Sequence, residues 1–479
     1  MSTRHRPRLP LVPSVPLGRR QLLRGALGML GAGALASLLR PGHARATDFP
    51  PLARRVIYLF MAGAPSQLET FDYKPGLAAM DGTELPASVR NGQRLTGMTS
   101  SQGSFPVVAS RFPFQQHGQS GTWVCDLFPH TASLVDQLCV VRTMFTDAIN
   151  HDPAVTLMQT GSMLQGRPSM GAWVHYGLGD ATRDLPAFTV LISRAGTSLG
   201  QPLSARFWGS GFLPAQHQGV QLRGVGDPVL YLEDGSGRPL SSRERLRDTR
   251  AALDDLHAAD TADPEIDARI EAFEIAHNMQ MSVPSLADTS DEPASTYDLY
   301  GDDARTPGTF AANCVLARRL LERGVTFVQL YHRDWDHHST LQTDFPVLAR
   351  SVDQAQAALV TDLAQRGLLD DTLVIWGGEF GRTVYGQGAV SADQYGRDHH
   401  PRNFAIWMAG GGARPGYVHG TTDDFSYNIV EDGVHVHDFH ATVLRLLGFD
   451  HTHLTFRSEG RDFRLTDVSG NVLTSLTTL

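Results

Sequence analysis

The chain is 479 residues long, enough for one large domain or two modest ones, and 41% apolar content supports a sizeable core. Acidic residues outnumber basic ones by 50 to 41, a formal charge of −9, so nucleic acid and anionic membrane surfaces are poor partners. No apolar run approaches the roughly 20 residues that span a bilayer, which excludes a membrane span.

The amino terminus carries Gly18-Arg19-Arg20-Gln21-Leu22-Leu23-Arg24, then an apolar Gly/Ala-rich stretch from Gly25 to Leu39, then Ala44-Arg45-Ala46. Paired arginines, a mild apolar region and an A-x-A site read as a twin-arginine export signal over 1–46, handled by the Tat translocase and cleaved after Ala46. The competing reading is an arginine-rich tail beside a short core helix. Export would deliver the protein to the periplasm or beyond the cell. Removing eight arginines and no acid leaves 33 basic against 50 acidic residues, a charge of −17. Cys125, Cys139 and Cys314 are the only cysteines, so an oxidising compartment permits one disulfide, Cys125–Cys139 among the options.

Beyond the signal, Val56–Met61 is a short continuous apolar run. Asp126–Gln137 has helical spacing and precedes the strand-like Leu138–Phe145. His151–Gln159 reads as a helix that breaks at Thr160-Gly161, and Phe188–Ile192 as a strand. From about 241 to 292 the chain turns polar and charged, with helical stretches such as Ile266–Met279, as expected of a partly solvated insertion in a single domain over 47–479. The core pattern resumes with a helix at Phe310–Arg323, a strand at Val325–Leu330, a long helix at Leu341–Arg366 and strands at Thr372–Trp376 and Phe404–Met408. A last helix, His437–Leu447, stops at Gly448. Strands apolar on both faces and alternating with helices imply an α/β fold, a mostly parallel sheet flanked by helices on both faces.

Four strands lead directly into polar clusters: Ser66-Gln-Leu-Glu69-Thr70-Phe-Asp72, Asp147-Ala-Ile-Asn150-His151-Asp152, Tyr331-His-Arg-Asp334-Trp-Asp336-His-His338, and Gly377-Gly-Glu379-Phe-Gly-Arg382-Thr383. Ligands in open α/β sheets bind beyond the carboxyl ends of the strands, so these clusters can converge. A fifth segment, Gly396-Arg-Asp-His399-His400-Pro401, precedes a strand instead. Histidine with carboxylate suits zinc, iron or manganese, whereas carboxylates alone lean to calcium or magnesium. Asp334 and His338 lie four apart, Asp336 and His338 two apart, and either pair can fold onto one ion. The plainer readings are a solvated loop, a Glu379–Arg382 surface ion pair, and His399 and His400 as turn residues. His435, His437, His440, His451 and His453 form a second histidine-rich region, read as structural because Phe439, Val443, Leu446 and Leu447 share its inward face.

The motifs FMAGAPSQLETFD, NHDPAVTLMQTGS, GRPSMGAWVHYGLG, WDHH, LVIWGGEFGRT, GRDHHPRNFAIWMAGGG and HDFHATVLRLLG stand in the order of one exported bacterial family. The chain resembles the family known as domain of unknown function 1501, sulfatase-like and related to the alkaline phosphatase superfamily, over about Arg54 to Arg461. The resemblance implies hydrolysis of a sulfate or phosphate ester, small-molecule or glycan, at a divalent metal (zinc, manganese or calcium). It makes Asp336, His338, Glu379 and His399 the metal ligands, with Asp334 competing with Asp336. His151 takes the position of the superfamily nucleophile, where a histidine can attack directly, act as base for a metal-bound water or be a ligand. It faces the reacting group together with Asn150, and Arg382 neutralises charge there. Two departures stand out: Met61-Ala62-Gly63 replaces a metal-binding aspartate after the first strand, and His151 replaces the residue that becomes formylglycine. They support the alternative of a degenerate fold that binds a cell-surface glycan or a partner protein without turnover.

Overall fold

The six apolar runs read as strands all lie in strands in the computed structural model, which describes residues 45–479 except 183, 194–201, 227–244, 246–248, 250–252, 254–277, 280–281 and 392–393. The expected export signal, save its last two residues, and most of the insertion at 241–292 lie outside the described residues. The strands that matter here are β1 (Arg55–Met61), β2 (Leu138–Phe145), β3 (Phe188–Ile192), β4 (Val220–Leu222), β5 (Phe327–His332), β6 (Thr372–Gly377), β7 (Gly381–Gly386), β8 (Arg397–His400), β9 (Phe404–Ala409), β10 (Tyr417–His419) and β11 (Val434–His435). The main helices are α1 (His151–Thr160), α2 (Met170–Leu178), α3 (Phe310–Glu322), α4 (Leu341–Gln365) and α5 (Val436–Leu446).

Nine of these strands form one sheet in the order β10-β2-β9-β6-β1-β5-β3-β4, with β11 also pairing β2. All neighbours are parallel except β9, which runs against both β2 and β6. Alternate residues of β1 enter two separate cores. Ile57, Leu59 and Met61 pack with Val315, Leu320, Val352 and Leu359 of α3 and α4. Val56, Tyr58 and Phe60 pack with Leu157, Trp173, Phe439 and Val443 of α1, α2 and α5. Both faces are covered, which is why the strands read as continuous apolar runs.

The reversed strand resolves the odd position of the fifth polar segment. Because β9 is antiparallel, with Phe404 opposite Met144 near the end of β2, its amino end lies at the carboxyl edge of its neighbours. Residues 396–403 therefore join the same edge as the loops after β1, β2, β5 and β6.

Two expectations are corrected. Asp126–Gln137 is not one helix: it forms a short turn of helix at Pro129–Ala132 and a 3-10 turn at Val135–Gln137. Pro129 bars helical backbone at Phe128, and the amides of His130 and Thr131 bond the buried Asp353 of α4 at 2.8 Å each. The strand expected at Val325–Leu330 begins two residues later, because the Val325 amide closes α3 on Leu320 O at 3.1 Å. Cys125 and Cys139 are separate buried thiols.

A buried ion pair fastens the polar edge. Arg397 and Glu69 are both fully buried, with Nη2 to Oε1 at 2.6 Å, and Arg397 also donates to the carbonyls of Val108, Thr383 and Val384. Breaking such a pair strands a buried charge. Arg397→Met should lower unfolding stability by about 3–5 kcal/mol in chemical denaturation. Adding Glu69→Gln should recover part of that loss, and an unchanged single variant would contradict this role.

Candidate metal and catalytic centre

The centre is assembled from backbone that must pass very close to itself. After β1 the chain turns at Gly63 (φ +105°) and Ala64 (φ +65°). A Cβ on Gly63 would lie 2.8 Å from the Asp336 amide nitrogen and 2.9 Å from that of Trp335, so only glycine lets the β1 turn and the β5 loop meet. Gly396 plays the same part across the site, where a Cβ would fall 1.9 Å from the His338 carbonyl carbon.

Asp336 is the hub. Its Oδ1 lies 2.7 Å from His338 Nε2, 2.6 Å from Arg382 Nη2 and 3.5 Å from His399 Nε2, and its Oδ2 lies 3.2 Å from His151 Nε2. Burial disfavours the Asp336 charge, but Arg382 and the three histidines hold its pKa well below the carboxylate range. One donor atom from each of His151, Asp336, His338 and His399 lies within 4.8 Å of all the others.

The histidines are oriented from behind. His399 Nδ1 is 2.8 Å from Ile149 O, and a carbonyl only accepts, so Nδ1 carries the proton and Nε2 presents a lone pair. His338 Nδ1 stands likewise 2.5 Å from Gln387 Oε1. The two Nε2 atoms then face each other at 3.2 Å beside Asp336, an arrangement that repels unless positive charge lies between them. Burial lowers the His399 pKa to about 4, so it is a neutral donor at neutral pH. A nitrogen-rich donor set with carboxylate, each imidazole fixed by an outer oxygen, fits a divalent transition ion.

His151 differs from the other two. It is the first residue of α1, and its Nδ1 lies 2.6 Å from Oε1 of the fully buried Glu379. Glu379 also accepts the Gly63 amide at 3.0 Å. Burial alone would lower the His151 pKa, but Asp336 and Glu379 outweigh it and the net shift is upward.

The remaining expected residues take distinct places. Glu379 lies outside the four-residue group, behind His151. Arg382 is 1% exposed and donates to Asp336, to Ala64 O at 3.0 Å, to Gly63 O and to Arg397 O at 3.3 Å, so its guanidinium binds loops together. The surface-pair reading of Glu379 and Arg382 fails with their burial. Asn150 is the exposed residue before α1, with no capping hydrogen bond from its side chain. Asp334 is half-buried with φ +81° and stands outside the group. His332 accepts the Trp335 indole N–H at 3.0 Å, and burial lowers its pKa to about 3. In the second histidine-rich region, His437 and His440 bond the carbonyls of Gly161 and Met158 at the end of α1. Gln387, Gln67 and the Ile149 carbonyl went unnoticed in the sequence. Gln67 clasps the Arg382 backbone through N–H and C=O, both at 2.8 Å, and its place in the cluster after β1 gives no sign of that role.

A family model described as "Protein of unknown function (DUF1501)" matches residues 53–477. The chain belongs to this family. No curated protein matches it. Among solved structures, this DUF1501 chain is similar to the lipoteichoic acid synthase LtaP from Listeria monocytogenes, at 10% identity and TM-score 0.32, covering 85% of this chain and 76% of that one. It is also similar to alkaline phosphatase from the Antarctic bacterium TAB5, at 10% identity and TM-score 0.31, covering 82% and 98%. The PsFucS1 sulfatase from Pseudoalteromonas sp. gives 11% identity and TM-score 0.32, covering 90% and 72%.

Gly63→Ala should drive the β1 turn away from Asp336. Elemental analysis of the purified variant should show metal content well below that of the parent. A fully loaded variant would mean that the approach of these two loops does not shape the donor set.

Proposed function

We propose that the protein is an exported, metal-dependent hydrolase of a sulfate or phosphate ester, with Asp336, His338 and His399 holding the cation and His151 moving the proton. The observation that carries this reading is the division within the cluster. His338 and His399 are each turned by an outer oxygen so that both Nε2 atoms meet at Asp336. His151 alone of the four also lines an adjoining cavity, with Glu379 beside it. Three protein donors with an open position is the pattern of catalytic rather than closed structural metal sites.

A divalent cation bound there would act as a Lewis acid on an ester oxygen, and three nearby imidazoles favour zinc or manganese over calcium. The chain supplies the rest. Glu379 accepts the Nδ1 proton of His151, which fixes the tautomer and leaves Nε2 as the base. His151 Nε2 takes the proton of the attacking water as its oxygen bonds to phosphorus or sulfur, and returns it to the departing ester oxygen. Glu379 is thus a positioning carboxylate in this scheme.

Zinc or manganese should appear at about one ion per chain in elemental analysis, and Asp336→Asn or His399→Ala should lose it. Against aryl sulfates and phosphates, His151→Gln should cut kcat by about 10²–10⁴-fold while keeping the metal. Glu379→Gln should also keep metal and lower kcat more than it raises KM. Absence of metal, together with turnover untouched by chelation, would remove this reading. Bound metal without turnover on any ester would favour the non-catalytic binding protein.

The twin-arginine pattern at Arg19-Arg20 supports export to the periplasm or beyond. Replacing both arginines by lysine should leave the full-length chain in the cytoplasm on cell fractionation; delivery unchanged by that replacement would argue against the Tat route.

A further inference from the structure

With Arg382 locked among protein oxygens, an anionic substrate draws on another cation. The adjoining cavity supplies one. It is about 250 Å³ in volume and opens beside His151 and Glu379, with Arg206 the one arginine or lysine among its described lining residues. Its other walls are the apolar Ala62, Val155, Leu203 and Phe207, with the hydroxyl of Ser204 and the carboxylate of Asp152.

Arg206 is well placed to hold a fixed position. It sits in the 3-10 turn Ala205–Trp208, whose Phe207 and Trp208 are buried in the core beneath α1 and α2. Its guanidinium carbon lies 4.9 Å from the Phe207 ring centroid. Its Nη2 is paired with Asp152, the second residue of α1 and the neighbour of His151, while its buried Nε has no hydrogen-bond partner. Asp152 is 64% exposed, so the pair is solvent-screened and contributes little to stability. An entering anion can displace Asp152 at small cost and gain both guanidinium edges.

We propose that Arg206 is the residue that binds the anionic group of the substrate, with Asp152 as an internal counter-ion that the substrate displaces. The cavity, about 250 Å³ beside His151 and Glu379, holds the anionic group of a sulfate or phosphate ester and the atoms next to it. This rests on the hydrolase reading for the identity of the substrate, but not for the binding of the anion.

The test is titration of the protein as purified with inorganic phosphate and with sulfate by calorimetry, metal content being measured in parallel. Arg206→Met should weaken anion binding by about tenfold or more, and Asp152→Asn, which removes the competing carboxylate, should strengthen it severalfold. Opposite responses from two adjacent surface residues cannot arise from general unfolding. No anion binding by the parent, or variants that respond alike or not at all, would overturn the proposal. Loss of the hydrolase reading has a separate signature, since it would show as missing metal or missing turnover whatever the anion titrations give.

Discussion

The contact between Arg382 and Asp336 is the constraint on which the centre depends. One guanidinium, 1% exposed, joins the turn after β1, the strand β8 and the loop after β5 to a single carboxylate. A buried arginine so engaged cannot move without stranding several acceptors at once. Asp336 is thereby held charged in a poorly solvated place, and three imidazoles gather on its two oxygens. Remove the guanidinium and the carboxylate has reason to protonate or turn outward, and the histidines lose their common partner.

Around that contact stands a frame that reads like site chemistry in sequence but works as masonry. In the GRDHHP segment, Arg397 closes on Glu69, and Asp398 accepts the hydroxyls of Thr96 and Thr99 at 2.6 and 2.5 Å. His400 bonds Tyr427 O at 2.6 Å. Of the four titratable residues in the motif, only His399 faces the donor cluster. Asp72, in the loop after β1, similarly accepts from Thr422 and Ser426 at 2.6 Å each. Titratable density in a sequence therefore marks the polar edge of the sheet, and the structure sorts it into supports and donors.

That sorting explains what could be read in advance. The strands were legible because both faces of the sheet are covered, and the gathering of polar loops followed from the carboxyl-edge rule. Asp336, His338, His399 and His151 were all singled out, the first two on spacing and resemblance and the other two on resemblance. Their division of labour was not legible. Glu379 and Asp336 are both acids after strands, and only the fold reveals that one faces three imidazoles while the other stands behind His151. The reversal of β9 was equally hidden, since apolar runs carry no direction. Without it, the GRDHHP segment lies at the wrong edge.

Burial also decides which arginine can serve a ligand. Arg382 and Arg397 have the motif context, yet both are committed to protein oxygens inside the polar edge. Arg206 has no motif context, in a turn whose sequence, Ala205-Arg-Phe-Trp208, shows only two apolar anchors beside a charge. Those anchors fix the turn against the core and leave its cation at the cavity rim, where the electrostatic partner is a solvent-exposed aspartate. The internal arginine holds the centre's own carboxylate, so the cation proposed for the substrate comes from a different part of the chain. In this fold the turn at Ala205–Trp208 brings Arg206 to Asp152, the neighbour of His151.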